Sequence, residues 1–403
     1  MGELIYDIFD ELDVATRDYN KKLQLDKEGF FDDRFVVGVY EEDESGMRTK
    51  IERFNKMRYR AAIIGCGRIG CGFKDDHRRK NLVYGHAQSY DAVADTTLVG
   101  VSDTDGLKLE TSAKKFNVPG YTNYEDMLRE EEPHVVSICT PPHTHCDIIQ
   151  ACLKYGVRAI YCEKPIDSSA EKAEEAIAAC AEKNVLLAVN HQRRFGKFHQ
   201  LFARAVQSGV IGEIQQISVN YVAGISNTGT HFIDLLQFYL GKDVERVRGW
   251  KSANECPNSS DLNIDGWMFF EGGPVASIQS TNSFGILEII LTTTLGRFTI
   301  NMHHPFTTDP VLACERVVEN KFFEGATKLE KTTNFPGLEW AHDQDHNDMR
   351  CAVEQIVDCL NREEYNIVSD GTSGLSSLRV IDSLTQSIQE NSMVFVKGEK
   401  CQN

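Results

Sequence analysis

The chain has 403 residues, 41% apolar and 26% charged, a length that suits two domains and an appendage better than one hydrophobic core. Its 43 Lys and Arg face 60 Asp and Glu, and the resulting charge of -17 repels phosphate backbones and anionic lipid, so neither nucleic acid nor membrane is expected as a partner. There is no apolar run of about 18 residues to span a bilayer. The start MGELIYDIFDELD carries acids where a secretory leader is basic, so a cytoplasmic location with the 12 cysteines reduced is expected.

Residues 1–57 read as an accessory extension. Leu4, Ile5, Ile8, Phe9 and Leu12 recur at helical spacing, while 34–40 and 48–54 flank Glu-Ser-Gly like the strands of a hairpin. From residue 58 to 190 the rhythm is strand, helix, strand. Apolar runs at 59–64, 97–102, 135–139, 158–162 and 185–189 alternate with helical stretches, which predicts a parallel sheet covered on both faces. From 191 to 403 the pattern becomes alternating runs at 214–222, 244–253, 264–271, 274–281, 286–293 and 297–302, which predict a large, mostly antiparallel sheet. One helix over 231–240 interrupts it, and two more, near 341–361 and 373–390, close the chain. The fold class expected is α/β: an N-terminal Rossmann dinucleotide-binding domain followed by an α+β domain. The last helices are free to pack back on the first domain.

The first strand runs into Gly65-Cys66-Gly67-Arg68-Ile69-Gly70, a G-x-G-x-x-G whose glycines permit a tight turn and close approach of a pyrophosphate to backbone N–H groups. The next strand ends in Asp103, placed to bond the adenosine ribose diol; a carboxylate there repels a 2'-phosphate and favours NAD over NADP. Gly65 and Asp103 lie nearly twice as far apart as the roughly 20 residues of the usual fingerprint, so an insertion is expected, with Cys71 to Tyr84 the candidate.

Five further landmarks follow in order: Thr140-Pro141-Pro142-His143-Thr144-His145, Glu163-Lys164-Pro165, Arg194-Phe195, the Gly209 to Gly212 junction, and Gly229-Thr230-His231-Phe232-Ile233-Asp234. Together they resemble the glucose-fructose oxidoreductase / inositol dehydrogenase family over about residues 59–395. The resemblance implies that Gly65, Gly67, Arg68, Ile69, Gly70, Asp103, Thr140, Pro141, His145, Glu163, Lys164 and Arg194 meet NAD. It also implies that Lys164 and His231 act on a sugar hydroxyl. The chemistry agrees, since oxidising an alcohol needs a proton acceptor, which neutral imidazole supplies near pH 7, and a cation to polarise the oxygen. Where polyol dehydrogenases of the family carry Asp four residues before the histidine, this chain has Asn227, which hydrogen-bonds but takes no proton.

That Asn-x-Gly-x-His pattern is similar to members oxidising the 3-hydroxyl of UDP-linked N-acetyl sugars. Arg193 would then contact an anionic substrate alongside Lys164, Asn227 and His231. The alternatives are a polyol or inositol-type dehydrogenase, a non-catalytic NAD- and sugar-sensing protein, and an enzyme that cleaves a glycosidic bond by transient oxidation. No metal is expected: His143, His145 and Cys146 belong to the cofactor turn, and His342, Asp343, Asp345 and His346 lack a metalloprotease order. Trp340 and Tyr221 read as core before pocket. Helices enough for only one face of the second sheet imply a homodimer or homotetramer joined through the other.

Overall fold

The computed structural model describes residues 58–72, 83–282, 286–302, 310–319, 326–342 and 347–396, together with the backbone of three strands ahead of them. Those strands, β1 (Glu3–Tyr6), β2 (Gly38–Glu42) and β3 (Arg48–Arg53), form an antiparallel sheet in the order β1-β2-β3. The hairpin expected at Glu-Ser-Gly is β2–β3, with Gly38 opposite Arg53. The helix expected from Leu4 starts instead as a strand, because the backbone of residues 3–6 pairs with Gly38–Glu41. Five apolar residues at mixed spacing cannot by themselves separate the two periods. Ile8, Phe9, Leu12 and 34–37 lie outside the described residues.

The first domain carries a six-stranded, all-parallel sheet: β4 (Tyr59–Ile64), β5 (Thr96–Ser102), β6 (Gly120–Tyr121), β7 (Val135–Ile138), β8 (Ala159–Cys162) and β9 (Leu186–Val189). Its order, β6-β5-β4-β7-β8-β9, reverses direction between β4 and β7, the switch point at which doubly wound sheets bind ligands. Strands β4, β7, β8 and β9 are buried on both faces, which is why they read as unbroken apolar runs. Helices α1 (His86–Ala92), α2 (Gly106–Phe116), α3 (Tyr124–Glu131), α4 (His145–Lys154) and α5 (Ala170–Glu182) connect them. Asp105 caps α2 by accepting from the backbone N–H groups of Leu107 and Lys108, and Ser169 caps α5.

After α6 (Lys197–Gln207) comes a nine-stranded sheet ordered β17-β16-β15-β14-β10-β13-β12-β11-β18. Its strands are β10 (Ile214–Tyr221), β11 (Val244–Lys251), β12 (Ile264–Phe270), β13 (Val275–Ser280), β14 (Glu288–Thr293), β15 (Gly296–Asn301), β16 (Val311–Glu319), β17 (Thr327–Thr332) and β18 (Val394–Phe395). All pairs are antiparallel except β10–β13. Helix α7 (Thr230–Leu240) and part of α9 (Gly371–Glu390) cover one face through Phe232, Leu236, Ile381 and Leu384. The outer face keeps Trp250 and Trp267 at 38% and 47% exposure, their rings 5.4 Å apart edge to face.

The closing helices tie the two sheets together. Helix α8 (Asp348–Arg362) buries Met349, Val353 and Ile356 in the same cluster as Ile63, Tyr90 and Tyr161 of the first domain. Entering α9, the chain bonds the edge of β9, where Val189 N–H donates to the Ser369 carbonyl at 2.9 Å and Ser369 Oγ donates to the Val189 carbonyl at 2.8 Å. Along α9, Leu375 and Leu378 then lie in the first-domain core while Val380, Ile381 and Leu384 lie in that of the second.

Candidate active site

Gly65 sits at φ +101°, and a Cβ there would lie 2.6 Å from the carbonyl of Cys139, so only glycine lets β4 turn this close to β7. Gly67 is the opposite case. Nothing lies within 4 Å of the place its Cβ would take, so this part of the loop is open to a pyrophosphate. Arg68 is exposed, Ile69 half-buried and Gly70 buried beneath them. Asp103 accepts the Cys66 N–H on Oδ2 at 2.7 Å and the Asp105 N–H on Oδ1 at 2.8 Å, which locks the end of β5 to the glycine loop. Each carboxylate oxygen keeps a lone pair for a ribose hydroxyl. The loop, the Asp103 carboxylate and the switch point together fit a dinucleotide.

The expected insertion is spliced into the start of α1. His86 and Ala87 N–H groups donate to the carbonyls of Ile69 and Gly70, both at 3.0 Å, as though no residues intervened. Residues 73–82 lie outside the described residues.

Thr140 and Pro141 follow β7, with Thr140 Oγ1 2.7 Å from Thr144 Oγ1. Buried His145 has Nε2 2.8 Å from the Thr140 carbonyl and Nδ1 3.0 Å from that of Pro165, which ties this turn to the one after β8. In that turn the Lys164–Pro165 peptide is cis. Glu163 is buried, and its Oε1 takes Asn190 Nδ2–H at 2.6 Å and meets His86 Nε2 at 3.0 Å. Burial pushes the carboxyl up, but His86, Asn190 and the Lys164 charge outweigh it and the net direction is down.

Lys164 reaches across to the second domain, where its Nζ donates to the Asn227 backbone carbonyl at 2.6 Å. Burial draws its pKa below the usual lysine value; Arg193 adds to this, and Glu163 and Asp261 oppose it. Asn227 lies in a π-helical turn, Ile225–Gly229, that runs into α7. Its backbone N–H is held by Asp261 Oδ2 at 2.9 Å, and its side-chain amide turns back to the Ala223 carbonyl at 3.2 Å. His231, in the first turn of α7, has its pKa pulled well below the ordinary value by burial, then by Arg193, Lys164 and His191, so it is neutral near pH 7. His191 is buried 6.2 Å from it, ring to ring and edge to face, and is pushed down to about 4, chiefly by burial.

Arg194 donates from Nε to Asp234 Oδ1 at 2.8 Å, an ion pair almost closed to solvent that bonds the 3-10 turn after β9, Gln192–Phe195, to α7. Arg193, beside it, points Nε and Nη1 at no hydrogen-bond partner although both atoms are buried. The sequence reading therefore placed Lys164, Asn227, His231, Arg193 and Arg194 in residues that do converge. It missed His86, Asn190, His191, Asp234 and Asp261. Asp234 closes the Gly229 to Asp234 landmark, which by itself gives it no role; no local motif marks the other four, and only the spatial meeting of β8, β9, α1, α7 and the loop before β12 shows them. Tyr221 and Trp340 are structural: Tyr221 OH is fully buried and bonds the Ile264 carbonyl at 2.9 Å, and Trp340 Nε1 bonds the Gly337 carbonyl at 3.0 Å. Among the described residues no group of His, Cys, Asp or Glu is arranged to hold a metal ion, and no helix is long and apolar enough to cross a membrane. Residues 343–346, with the His342 side chain, lie outside the described residues.

The family model described as an oxidoreductase family, NAD-binding Rossmann fold, matches residues 59–191, and that of the same family's C-terminal alpha/beta domain matches 224–396. The chain belongs to the glucose-fructose oxidoreductase / inositol dehydrogenase (GFO_IDH_MocA) family. Its first domain is thus an NAD-binding Rossmann fold and its second the family's α/β domain. An inositol 2-dehydrogenase of Rhizobium meliloti is 29% identical over 205 residues, which cover 47% of this chain and 58% of that protein. A D-apiose dehydrogenase of Paraburkholderia graminis is 24% identical over 251 residues, 58% of this chain and 60% of that one. The chain thus spans less than two thirds of these relatives. In fold it is similar to scyllo-inositol dehydrogenase from Lactobacillus casei, solved with NAD(H) and scyllo-inositol, at TM-score 0.63 and 19% identity, covering 84% of this chain and 99% of that one.

Proposed function

We propose that the chain is an NAD-dependent oxidoreductase that removes hydride from a hydroxyl-bearing carbon of a polyol or sugar, an inositol-type ring being the first candidate. In this reading residues 58–190 bind the dinucleotide and 191–403 the substrate. The observation that carries it is the bridge from Lys164 Nζ to the Asn227 carbonyl at the carboxyl edge of the parallel sheet, four residues ahead of His231. Bound along the glycine loop, NAD supplies the hydride acceptor. Lys164 donates a hydrogen bond to the reacting hydroxyl oxygen, and neutral His231 takes its proton. The Asp261 carboxylate, accepting from the Ser226 and Asn227 N–H groups, holds the turn that carries Asn227 to its place. Asp103 selects NAD, so Asp103→Ala should erode the preference for NAD over NADP at least tenfold.

The named dehydrogenase relatives favour the polyol reading. A second reading, a UDP-linked N-acetyl sugar oxidised at its 3-hydroxyl, draws support from Arg193, whose two buried, unpartnered nitrogens suit an anionic group. NADH formation assayed with myo-inositol, scyllo-inositol, glucose, UDP-N-acetylhexosamines and their uronic acids tests both. Turnover of inositols alone excludes the nucleotide sugar, and reduction of NAD by none of them overturns the assignment.

The face of the second sheet that no described helix covers, with Trp250 and Trp267 outward, is proposed to meet a second copy of the chain, giving a homodimer or homotetramer.

A further inference from the structure

Behind Lys164 lies a buried polar chain that the motifs do not announce. Tyr90 OH is 2.8 Å from Ser137 Oγ, which is 2.7 Å from His86 Nδ1, and His86 Nε2 is 3.0 Å from Glu163 Oε1. From the other side Tyr161 OH donates to Asn190 Oδ1 at 2.6 Å, and Asn190 Nδ2 donates to the same Glu163 oxygen at 2.6 Å. Each arm starts at a buried tyrosine, and both converge on Oε1, which leaves Oε2 to accept the backbone N–H of Lys164 at 3.3 Å. With His86 carrying its proton on Nε2, every donor in the first arm points towards the carboxylate: Tyr90 to Ser137, Ser137 to His86, His86 to Glu163. Chains so aligned strengthen one another.

Such a network is a poor device for stability alone, because buried ionic groups replaced by apolar ones of the same shape often cost nothing. Its position supplies a use. Glu163 precedes Lys164, and its charge is the largest influence opposing the burial that lowers the lysine's pKa.

We propose that His86 is a positioning residue for Lys164: by donating to Glu163 it keeps that carboxylate ionised and fixed, and the carboxylate keeps the lysine an ammonium aimed at the substrate. This rests on the reading of Lys164 as the polarising cation. The insertion after Gly70 is consistent with it, since the added residues leave His86 bonded to the Ile69 carbonyl at the start of α1.

The neighbouring ionisable groups leave the effect legible. Tyr90, Tyr161, Cys139 and Cys162 are all pushed up, mainly by burial, and stay neutral through the assay range. His191 titrates near 4, and the charges of Arg193, Asp261 and Asp348 are common to every variant.

Two substitutions divide the bonds of His86. In His86→Gln the amide reaches the place of Nε2 and can still donate to Glu163; in His86→Asn it reaches only the place of Nδ1 and Ser137. The pKa of Lys164 is read from the pH dependence of its acetylation by limiting acetic anhydride, quantified by mass spectrometry of its peptide, which needs no substrate. The expected result is a fall of about one unit in His86→Asn and little change in His86→Gln. In the NADH assay kcat should fall at least tenfold in His86→Asn with KM for NAD unchanged, and His86→Gln should recover most of it. Equal lysine pKa values in all three proteins, or equal shifts in both variants, would overturn the proposal. If wild type oxidises no substrate, the functional reading fails while the labelling still decides the role of His86. If His86→Asn does not fold, Glu163→Gln takes its place: it should lower the Lys164 pKa by a similar amount, and an unchanged pKa again overturns the proposal.

Discussion

His191 makes the protein's stability depend on pH by an amount that can be worked out. It is 1% exposed, and neither ring nitrogen has a hydrogen-bond partner. Burial is the main reason its pKa falls from 6.5 to about 4; the Asp234 charge opposes this, and Arg194 and Lys164 assist it. A base whose folded pKa is depressed is protonated more readily in the unfolded chain, so below 6.5 the unfolded state binds the extra proton and folding weakens as pH falls. The loss begins near pH 6.5 and levels off below pH 4. A shift of that size corresponds to about 3 kcal/mol in the limit, of which roughly 2.5 kcal/mol is reached by about pH 4.5. Replacing the imidazole by an uncharged amide, His191→Gln, removes this contribution, while burial, Arg193 and Lys164, the larger influences on the neighbouring His231, remain. Urea denaturation of wild type and variant at about pH 7.5 and pH 4.5 reads the effect: the wild type should lose about 2.5 kcal/mol more than the variant on acidification. Equal losses in the two proteins would mean that His191 is protonated in the fold, and the electrostatic description of the cleft around His231 would fall with it.

Lys164→Ala and His231→Ala should each lower turnover on the order of 100-fold or more while NAD affinity, measured by calorimetry, stays close to wild type. Gly65→Ala brings a Cβ onto the Cys139 carbonyl at a φ few side chains adopt, so NAD affinity should fall by at least tenfold, with the far-ultraviolet circular dichroism retained. Glu replacing both Trp250 and Trp267 should give a monomer in light scattering at micromolar concentration where the wild type is a dimer or tetramer; a wild-type monomer refutes the proposed interface. Arg194→Ala leaves the buried Asp234 charge unpaired and should cost about 3 kcal/mol by urea denaturation, with Arg194→Lys costing less.

Much of this molecule was legible one residue at a time, because the signals were local. Strands β4, β7, β8 and β9 are buried on both faces and read as continuous apolar runs, and β10 to β15 lie close to their expected spans, since strands covered on one face alternate with a period of two. The glycine loop was readable because a positive φ and a close backbone approach leave glycine no substitute, and Lys164, His231 and Arg194 because they sit in short ordered motifs. Strands β16 and β17 went unread: they lie at one end of the sheet, where little of either face is buried and burial does not alternate cleanly.

The tertiary structure alone decided what depends on residues remote in the chain. His86 meets Glu163 and Ser137, Arg194 meets Asp234, and Lys164 meets the carbonyl of Asn227, each across tens of residues. The same holds for α8, whose amphipathic pattern shows an apolar face but not that the face belongs to the first domain. Local sequence carries the period of an element and the allowed angles of a turn. It does not carry which side chains share one low-dielectric pocket, and that proximity sets the charge states of Lys164, His191 and His231.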